Sequence, residues 1–160
     1  MPPIISVVGK SEAGKTTLIE KLIPKLKKRG YRIGIIKHAF HEFEFDKQGK
    51  DSWRHKTAGA ETVIVSSPGT IVMVKDSHDE ALDVLSTYFQ DVDLVLTEGF
   101  KKENKPQIEI FRKNRHKAPL SMGNRNLIAF VTDSELDLNV PKFGLDDVEE
   151  LADLIEDRYL

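Results

Sequence analysis

Three observations in this sequence predict an α/β fold: a mainly parallel sheet flanked by helices, with a β-hairpin extension. Short apolar runs such as Ile4-Ile5-Ser6-Val7-Val8 and Leu94-Val95-Leu96-Thr97 are too continuous for half-exposed strands and read as strands buried on both faces, as in a parallel sheet. They are interspersed with segments of helical spacing, first Leu18, Leu22, Ile23 and Leu26, later Ala81, Leu82, Leu85 and Phe89. Between these lie Thr62-Val63-Ile64-Val65 and Thr70-Ile71-Val72-Met73-Val74, joined by Ser66-Ser67-Pro68-Gly69, a hairpin with a Pro-Gly turn.

Taken in order, the strand at 4–8 leads into a helix in which Pro24 should bend or locally open the backbone, and Gly30 supplies its stop. Arg32-Ile33-Gly34-Ile35-Ile36-Lys37 is the second strand, so that strand, helix and strand form a right-handed parallel unit. From His38 to Gly59 the chain is polar and has no clear strand; a connection of that length suggests a binding loop or lid. The hairpin follows, then a helix over Asp79–Phe89, then the strand entered through Asp93 and ending at Glu98-Gly99. Ile108–Phe111 and Leu127–Val131 read as later strands, and a last helix near Leu145–Tyr159 presents Val148, Leu151, Ala152 and Ile155. There is no internal repeat and no low-complexity tract.

With 160 residues and 39% hydrophobic content, one domain spanning 1–160 with a sizeable core is expected. No apolar stretch is long enough to span a bilayer, and Met-Pro-Pro-Ile-Ile enters the first strand without the basic and apolar regions of a secretory signal, so a cytoplasmic protein without a membrane partner is expected. The absence of cysteine excludes disulfides, thiolate catalysis and Cys-ligated metal sites. A net charge of −2 gives no general drive toward nucleic acid. Charge is nonetheless uneven: Lys101, Lys102, Lys105, Arg112, Lys113, Arg115, His116 and Lys117 cluster, and the stretch from Asp146 to Asp157 is acidic. These are either solvated faces of opposite sign or, for the basic one, a surface for a phosphate-bearing ligand or an acidic partner.

The chemistry concentrates in Gly9-Lys10-Ser11-Glu12-Ala13-Gly14-Lys15-Thr16-Thr17, which fits the Walker A pattern Gly-x-x-x-x-Gly-Lys-[Ser/Thr] between a strand and a helix and makes the fold P-loop NTPase-like. Backbone N–H groups of such a turn point inward and the helix N-terminus adds partial positive charge, so the loop is a ready anion site. Gly9 and Gly14 permit close phosphate approach; Lys15 can reach the β and γ phosphates; Thr16 can ligate Mg²⁺; Thr17 is placed for the α phosphate. A nucleoside triphosphate is the expected ligand, and the loop alone does not choose between GTP and ATP.

Ligands of parallel sheets collect beyond the carboxyl ends of strands. Glu98 should emerge there beside Thr16 and serve the metal, while Asp93 begins the same strand and faces the far side as a turn or cap residue. Asp133, after the Leu127–Val131 strand, either accepts guanine N1–H and N2–H or caps a turn; no Asn-Lys-x-Asp sequence is present. In Asp46-Lys47-Gln48-Gly49-Lys50-Asp51-Ser52-Trp53, Asp51 is the best candidate to sense Mg²⁺ or position water, with Arg54 nearby, although plain surface charge also explains the segment. The candidate catalytic residues are therefore Lys15, Asp51 and Glu98. His38 and His41, with Glu42, Glu44 and Asp46, contain enough imidazole and carboxylate for a metal site, but their spacing is not diagnostic.

In combination, Gly9–Thr17, Lys37-His38-Ala39-Phe40-His41, Gly49-Lys50-Asp51-Ser52-Trp53-Arg54-His55 with Ala58-Gly59-Ala60, Asp93–Lys101 and Pro106-Gln107-Ile108-Glu109 cover nearly the whole chain and resemble the molybdopterin-guanine dinucleotide biosynthesis protein B (MobB) family. The resemblance implies a homodimeric GTP-binding adapter with weak GTPase activity, using Mg²⁺, that works with molybdopterin guanylyltransferase, the enzyme joining GMP to molybdopterin, in molybdenum cofactor biosynthesis. Lys10 stands where a related class of dimeric phosphate-loop proteins carries a signature lysine that can reach a phosphate across the dimer; a solvated loop lysine is the alternative reading. The residues by themselves leave two alternatives open, a P-loop small-molecule kinase and a metallochaperone NTPase using His38 and His41.

Overall fold

The computed structural model describes residues 1–39, 46–137 and 139–160. The chain divides into two compact units, Met1–His38 with Leu82–Leu160, and the inserted segment Ala39–Ala81.

In the first unit, β1 (Ile4–Val8), β2 (Ile33–Lys37), β5 (Leu94–Glu98), β6 (Gln107–Phe111), β7 (Leu127–Thr132) and the two-residue β8 (Lys142–Phe143) form one six-stranded sheet in the order β2-β5-β1-β6-β7-β8, and every pairing is parallel. The apolar runs behave as two-sided strands. Ile5 and Val7 of β1, Leu94 and Leu96 of β5, Ile108 and Ile110 of β6 and Ala129 and Val131 of β7 join the core beneath two helices. The alternate residues Ile4 and Val95 face the other side, with Ile36, Leu82 and Phe89.

The two helices over the larger core are α1 (Lys15–Lys28) and α4 (Val148–Tyr159). Leu18, Ile19, Leu22 and Leu26 bury one stripe of α1, and Val148, Leu151, Ala152 and Ile155 one stripe of α4. α1 runs through Pro24 as one helix. It ends as the Gly30 stop predicts: Gly30, at φ +97°, donates its N–H to Lys27 O at 3.0 Å, and Tyr31 N–H reaches back to Leu26 O at 3.2 Å, the two bonds of a Schellman cap.

The acidic stretch is not a free face. Lys21 meets Asp146 at 2.7 Å, Lys25 meets Glu149 at 2.8 Å, and Arg29 meets Glu149, Asp153 and Glu156 at 2.6–2.8 Å, lacing α4 to α1.

The helix expected over Asp79–Phe89 is confined to α3 (Leu82–Leu85) and a 3₁₀ turn, Ser86–Tyr88. Short polar side chains divert the flanking backbone: Ala81 N–H donates to Asp79 Oδ1, Ser86 Oγ to Asp83 O and Thr87 Oγ1 to Val84 O. Phe89 then leaves helical geometry and its ring lies over Gly34, where any side chain would collide with it.

The inserted unit holds the antiparallel hairpin β3 (Thr62–Ser67) and β4 (Thr70–Lys75), turning through Pro68 and Gly69. It also holds α2 (Asp51–Thr57), a helix that the sequence pattern did not signal because its seven residues bury none of their side chains and so carry no apolar period. Lys56 and Asp76 pair at 2.6 Å within this unit.

Candidate functional site

β1 delivers the chain into the Gly9–Thr17 loop at the carboxyl end of the sheet, and α1 departs from it at Lys15. Two glycines are required there. A Cβ on Gly9 would stand 2.6 Å from Ile110 O on the neighbouring strand, and Gly14, the N-cap of α1, has φ +103°. Ala13 N–H donates to Lys10 O at 3.2 Å and Leu18 N–H to Gly14 O at 2.9 Å, closing the turn and starting the helix.

Lys15 folds back across the loop and donates to Gly9 O and Lys10 O, both at 3.0 Å. Partial burial lowers its pKa, Glu98 opposes that shift and Lys37 adds to it. A lysine held by two carbonyls exchanges weak neutral acceptors for charged ones when an anion enters the loop, and the anion also relieves its desolvation.

Thr16 Oγ1 donates to Glu98 Oε1 at 2.9 Å, and Lys37 Nζ lies 3.5 Å from Glu98 Oε2. The register explains the meeting: Glu98 ends β5 between Val7 of β1 and Lys37 of β2, so three strand ends converge on the start of α1. Two oxygens in adjacent positions of a Mg²⁺ octahedron with bonds of 2.0–2.1 Å stand about 2.9 Å apart. The hydroxyl and carboxylate oxygens are therefore close enough to serve as adjacent Mg²⁺ ligands.

The other predicted residues each have partners of their own. Asp93 lies at the opposite end of β5, where its carboxylate accepts Arg32 N–H at 2.7 Å and the Arg32 guanidinium at 2.8 and 3.1 Å, contacts that hold its pKa down at about 2. Asp133 follows β7 at the carboxyl end and accepts Lys113 N–H at 3.0 Å, with Arg112 Nε at 3.5 Å; the Lys113 N–H first, and then Arg112, keep its carboxyl below the usual range. Asp51 opens α2 in the inserted unit, 3.7 Å from Arg54 Nη1.

His38 stacks edge-on against Phe100 with ring centroids 5.1 Å apart; His41, Glu42 and Glu44 lie outside the described residues. Among the described residues no group of three or more His, Asp or Glu is arranged to hold a metal ion, and no helix is long and apolar enough to cross a membrane.

Three residues of this end of the sheet were not assigned to the site from the sequence, although Arg115 was counted in the basic cluster. Lys37 faces Glu98 only because β2 pairs with β5, a relation no local pattern reveals. Arg115 lies 3.5 Å from Glu12 of the phosphate loop, across more than a hundred residues of sequence. Glu109 did leave a signal: a lone acid in the buried strand Gln107-Ile108-Glu109-Ile110-Phe111 must be satisfied, and it accepts Leu120 and Ser121 N–H, each at 2.6 Å.

The family model for molybdopterin guanine dinucleotide synthesis protein B matches residues 4–133. A molybdopterin-guanine dinucleotide biosynthesis adapter protein from Haemophilus influenzae is 38% identical over 96% of this chain and 88% of its own length. Its counterpart from Escherichia coli is 38% identical over 97% of this chain and 92% of its own. Among solved structures, Bacillus subtilis MobB superposes with a TM-score of 0.79 at 30% identity, covering 99% of this chain and 98% of that one. A molybdopterin-guanine biosynthesis protein B crystal structure gives 0.78 at 33% identity, over 96% and 97%. Sequence and fold agree along almost the full length, and the chain belongs to the molybdopterin guanine dinucleotide synthesis protein B family.

Proposed function

We propose that this protein is a GTP-binding adapter with slow hydrolytic activity that serves molybdopterin guanine dinucleotide biosynthesis, acting with the guanylyltransferase that joins GMP to molybdopterin. The observation that carries the reading is the pairing of Thr16 with Glu98 at 2.9 Å beside a phosphate loop whose lysine is already folded across it. The loop N–H groups and the start of α1 bind the triphosphate, Lys15 neutralises its β and γ oxygens, and Thr16 and Glu98 hold Mg²⁺. Bound there, Mg²⁺ supplies charge neutralisation of the phosphate oxygens.

Strand order orients the nucleotide. Glu98 on β5 marks the metal and γ-phosphate side of the loop, and β6 and β7 lie on the other side of β1. The nucleoside therefore extends toward Asp133 at the end of β7, which is the proposed acceptor for guanine. Its present bonds to Lys113 and Arg112 hold it ionised, the state that accepts N1–H and N2–H. Residues 1–160 act as one nucleotide-binding domain in the cytoplasm, with the inserted segment as an extension that carries Asp51 and a hairpin for homodimer formation. A titration of GTP and ATP, each with and without Mg²⁺, tests this: micromolar or tighter GTP binding that depends on Mg²⁺ is expected, and absence of triphosphate binding by the folded protein overturns it.

A further inference from the structure

The phosphate loop contains a carboxylate. Glu12 sits between Gly9 and Gly14 with φ +60°, a left-handed conformation that non-glycine residues adopt uncommonly. Its side chain is 79% exposed, at the rim of a site built to take an anion. A negative charge within several ångströms of a triphosphate opposes its binding by about three- to tenfold even when water and salt screen it.

The loop after β6 supplies the countercharge, with Arg115 Nη1 3.5 Å from Glu12 Oε2. An exposed pair of that length contributes little when both side chains must be ordered to make it. Here the backbone that carries the guanidinium is already fixed. Arg115 N–H and His116 N–H both donate to Arg112 O at 3.0 Å, and Asp133 holds Lys113 N–H and Arg112. At the far end of the same loop, the carboxylate of Glu109, only 1% exposed, accepts Leu120 and Ser121 N–H. Two acids thus anchor the loop, one at each end, and the arginine between them reaches the acid of the phosphate loop.

We propose that Arg115 is an affinity-determining residue of the nucleotide site that acts by neutralising Glu12, so that the position of the 112–121 loop sets how tightly a triphosphate is held. The assignment rests on the phosphate-loop reading above and goes beyond it in giving the loop after β6 a role in binding. It differs from a general basic field in assigning the effect to Arg115, which meets Glu12, and none to Lys117 on the same loop.

Calorimetric titration of Mg-GTP into the full chain tests this in five forms: unaltered, Arg115→Ala, Glu12→Gln, the double variant, and Lys117→Ala. Arg115→Ala is expected to weaken binding about three- to tenfold, with the penalty shrinking at high salt. Glu12→Gln should bind at least as tightly as the unaltered protein, and adding Arg115→Ala to it should change affinity by less than about twofold, because the charge to be cancelled is gone. Lys117→Ala should leave affinity unchanged. The proposal is overturned if Arg115→Ala costs nothing, if its cost persists in the Glu12→Gln background, or if Lys117→Ala costs as much. No binding by the unaltered protein removes the nucleotide reading together with this one; normal binding with an uncoupled cycle removes this one alone.

Discussion

Thr16 and Glu98, 82 positions apart in the sequence, place a hydroxyl and a carboxylate oxygen 2.9 Å apart. Their separation matches two adjacent ligands of an octahedral Mg²⁺. Thr16→Ala and Glu98→Gln should therefore each reduce the Mg²⁺ dependence of nucleotide binding or turnover more than they reduce metal-free affinity. Asp93→Asn, at the other end of β5 and engaged with Arg32, should leave the metal dependence intact. Binding titrations over a range of Mg²⁺ concentrations check this; a silent Glu98 beside a metal-sensitive Asp93 would assign the wrong acid.

Lys15→Ala should weaken triphosphate binding by about 1.5–3 kcal/mol, or about 10–150-fold, the range for hydrogen bonds to a charged group. Its bonds in the structure are to two loop carbonyls and not to the core, so the fold should persist. Calorimetry combined with far-ultraviolet circular dichroism separates the two effects. Unchanged GTP affinity in the folded variant would remove the nucleotide assignment.

The lacing between α4 and α1 predicts a pH dependence. Lys25 first, and then Arg29, hold the Glu149 carboxyl down at about 2, below its ordinary 4.5, and Lys21 likewise lowers Asp146. A carboxyl depressed by folding contributes stability that is present above its ordinary value and lost as pH falls through the folded value. Thermal stability should accordingly decline from about pH 4.5 toward pH 2. Arg29→Met should lower the melting temperature near neutrality and flatten that decline, and 0.5 M salt should reduce the difference because the acids are exposed. Melting curves of both proteins across this range decide it; parallel curves would show that the pairs contribute nothing.

Much of this architecture was legible because its signals are local. Ile4–Val8 and Leu94–Glu98 are apolar runs that need no partner to be recognised, and Gly30 marks a helix end by its own conformational freedom. The phosphate loop was legible for the same reason: its chemistry lies in nine consecutive residues. Strand order was not, and with it went the convergence of Lys37, Glu98 and Val7, which follows from β5 inserting between β1 and β2. The shortened α3 shows a second limit, since Asp79, Ser86 and Thr87 offer the backbone competing hydrogen bonds that apolar spacing does not register. The acidic stretch 146–157 read as a solvated face until α1 placed Lys21, Lys25 and Arg29 against it.

The hairpin bears on the proposed homodimer. Ile71 is 73% exposed and Ile64 59%, on a sheet of only two strands, which on its own is marginally stable in water. Pairing with a second copy would cover these side chains and extend the sheet. Sedimentation should show a dimer at micromolar concentration, and Ile71→Asp should shift it toward monomer while leaving the phosphate loop able to bind GTP. A stable monomer, unchanged by GTP and Mg²⁺, would contradict the dimer.

Hydrolysis by the protein alone should be detectable and slow. The proposed site offers phosphate binding and a metal position, but efficient turnover also requires a group that aligns the attacking water and a cation that meets the charge developing in the transition state. The described arginines near the loop already have acidic partners, Arg112 in Asp133 and Arg115 in Glu12, and within the inserted unit Arg54 lies against Asp51. Phosphate-loop proteins without a supplied arginine turn over as slowly as about 10⁻⁴–10⁻³ s⁻¹, and a rate of that order is expected here. If Asp51 positions the water, Asp51→Asn should lower this rate without changing GTP affinity, and a partner that frees Arg54 from Asp51 should raise it. Single-turnover GTP hydrolysis, measured with and without the guanylyltransferase, checks both expectations. A purified protein turning over GTP at tens per second without any partner would make it a dedicated enzyme and overturn the adapter reading.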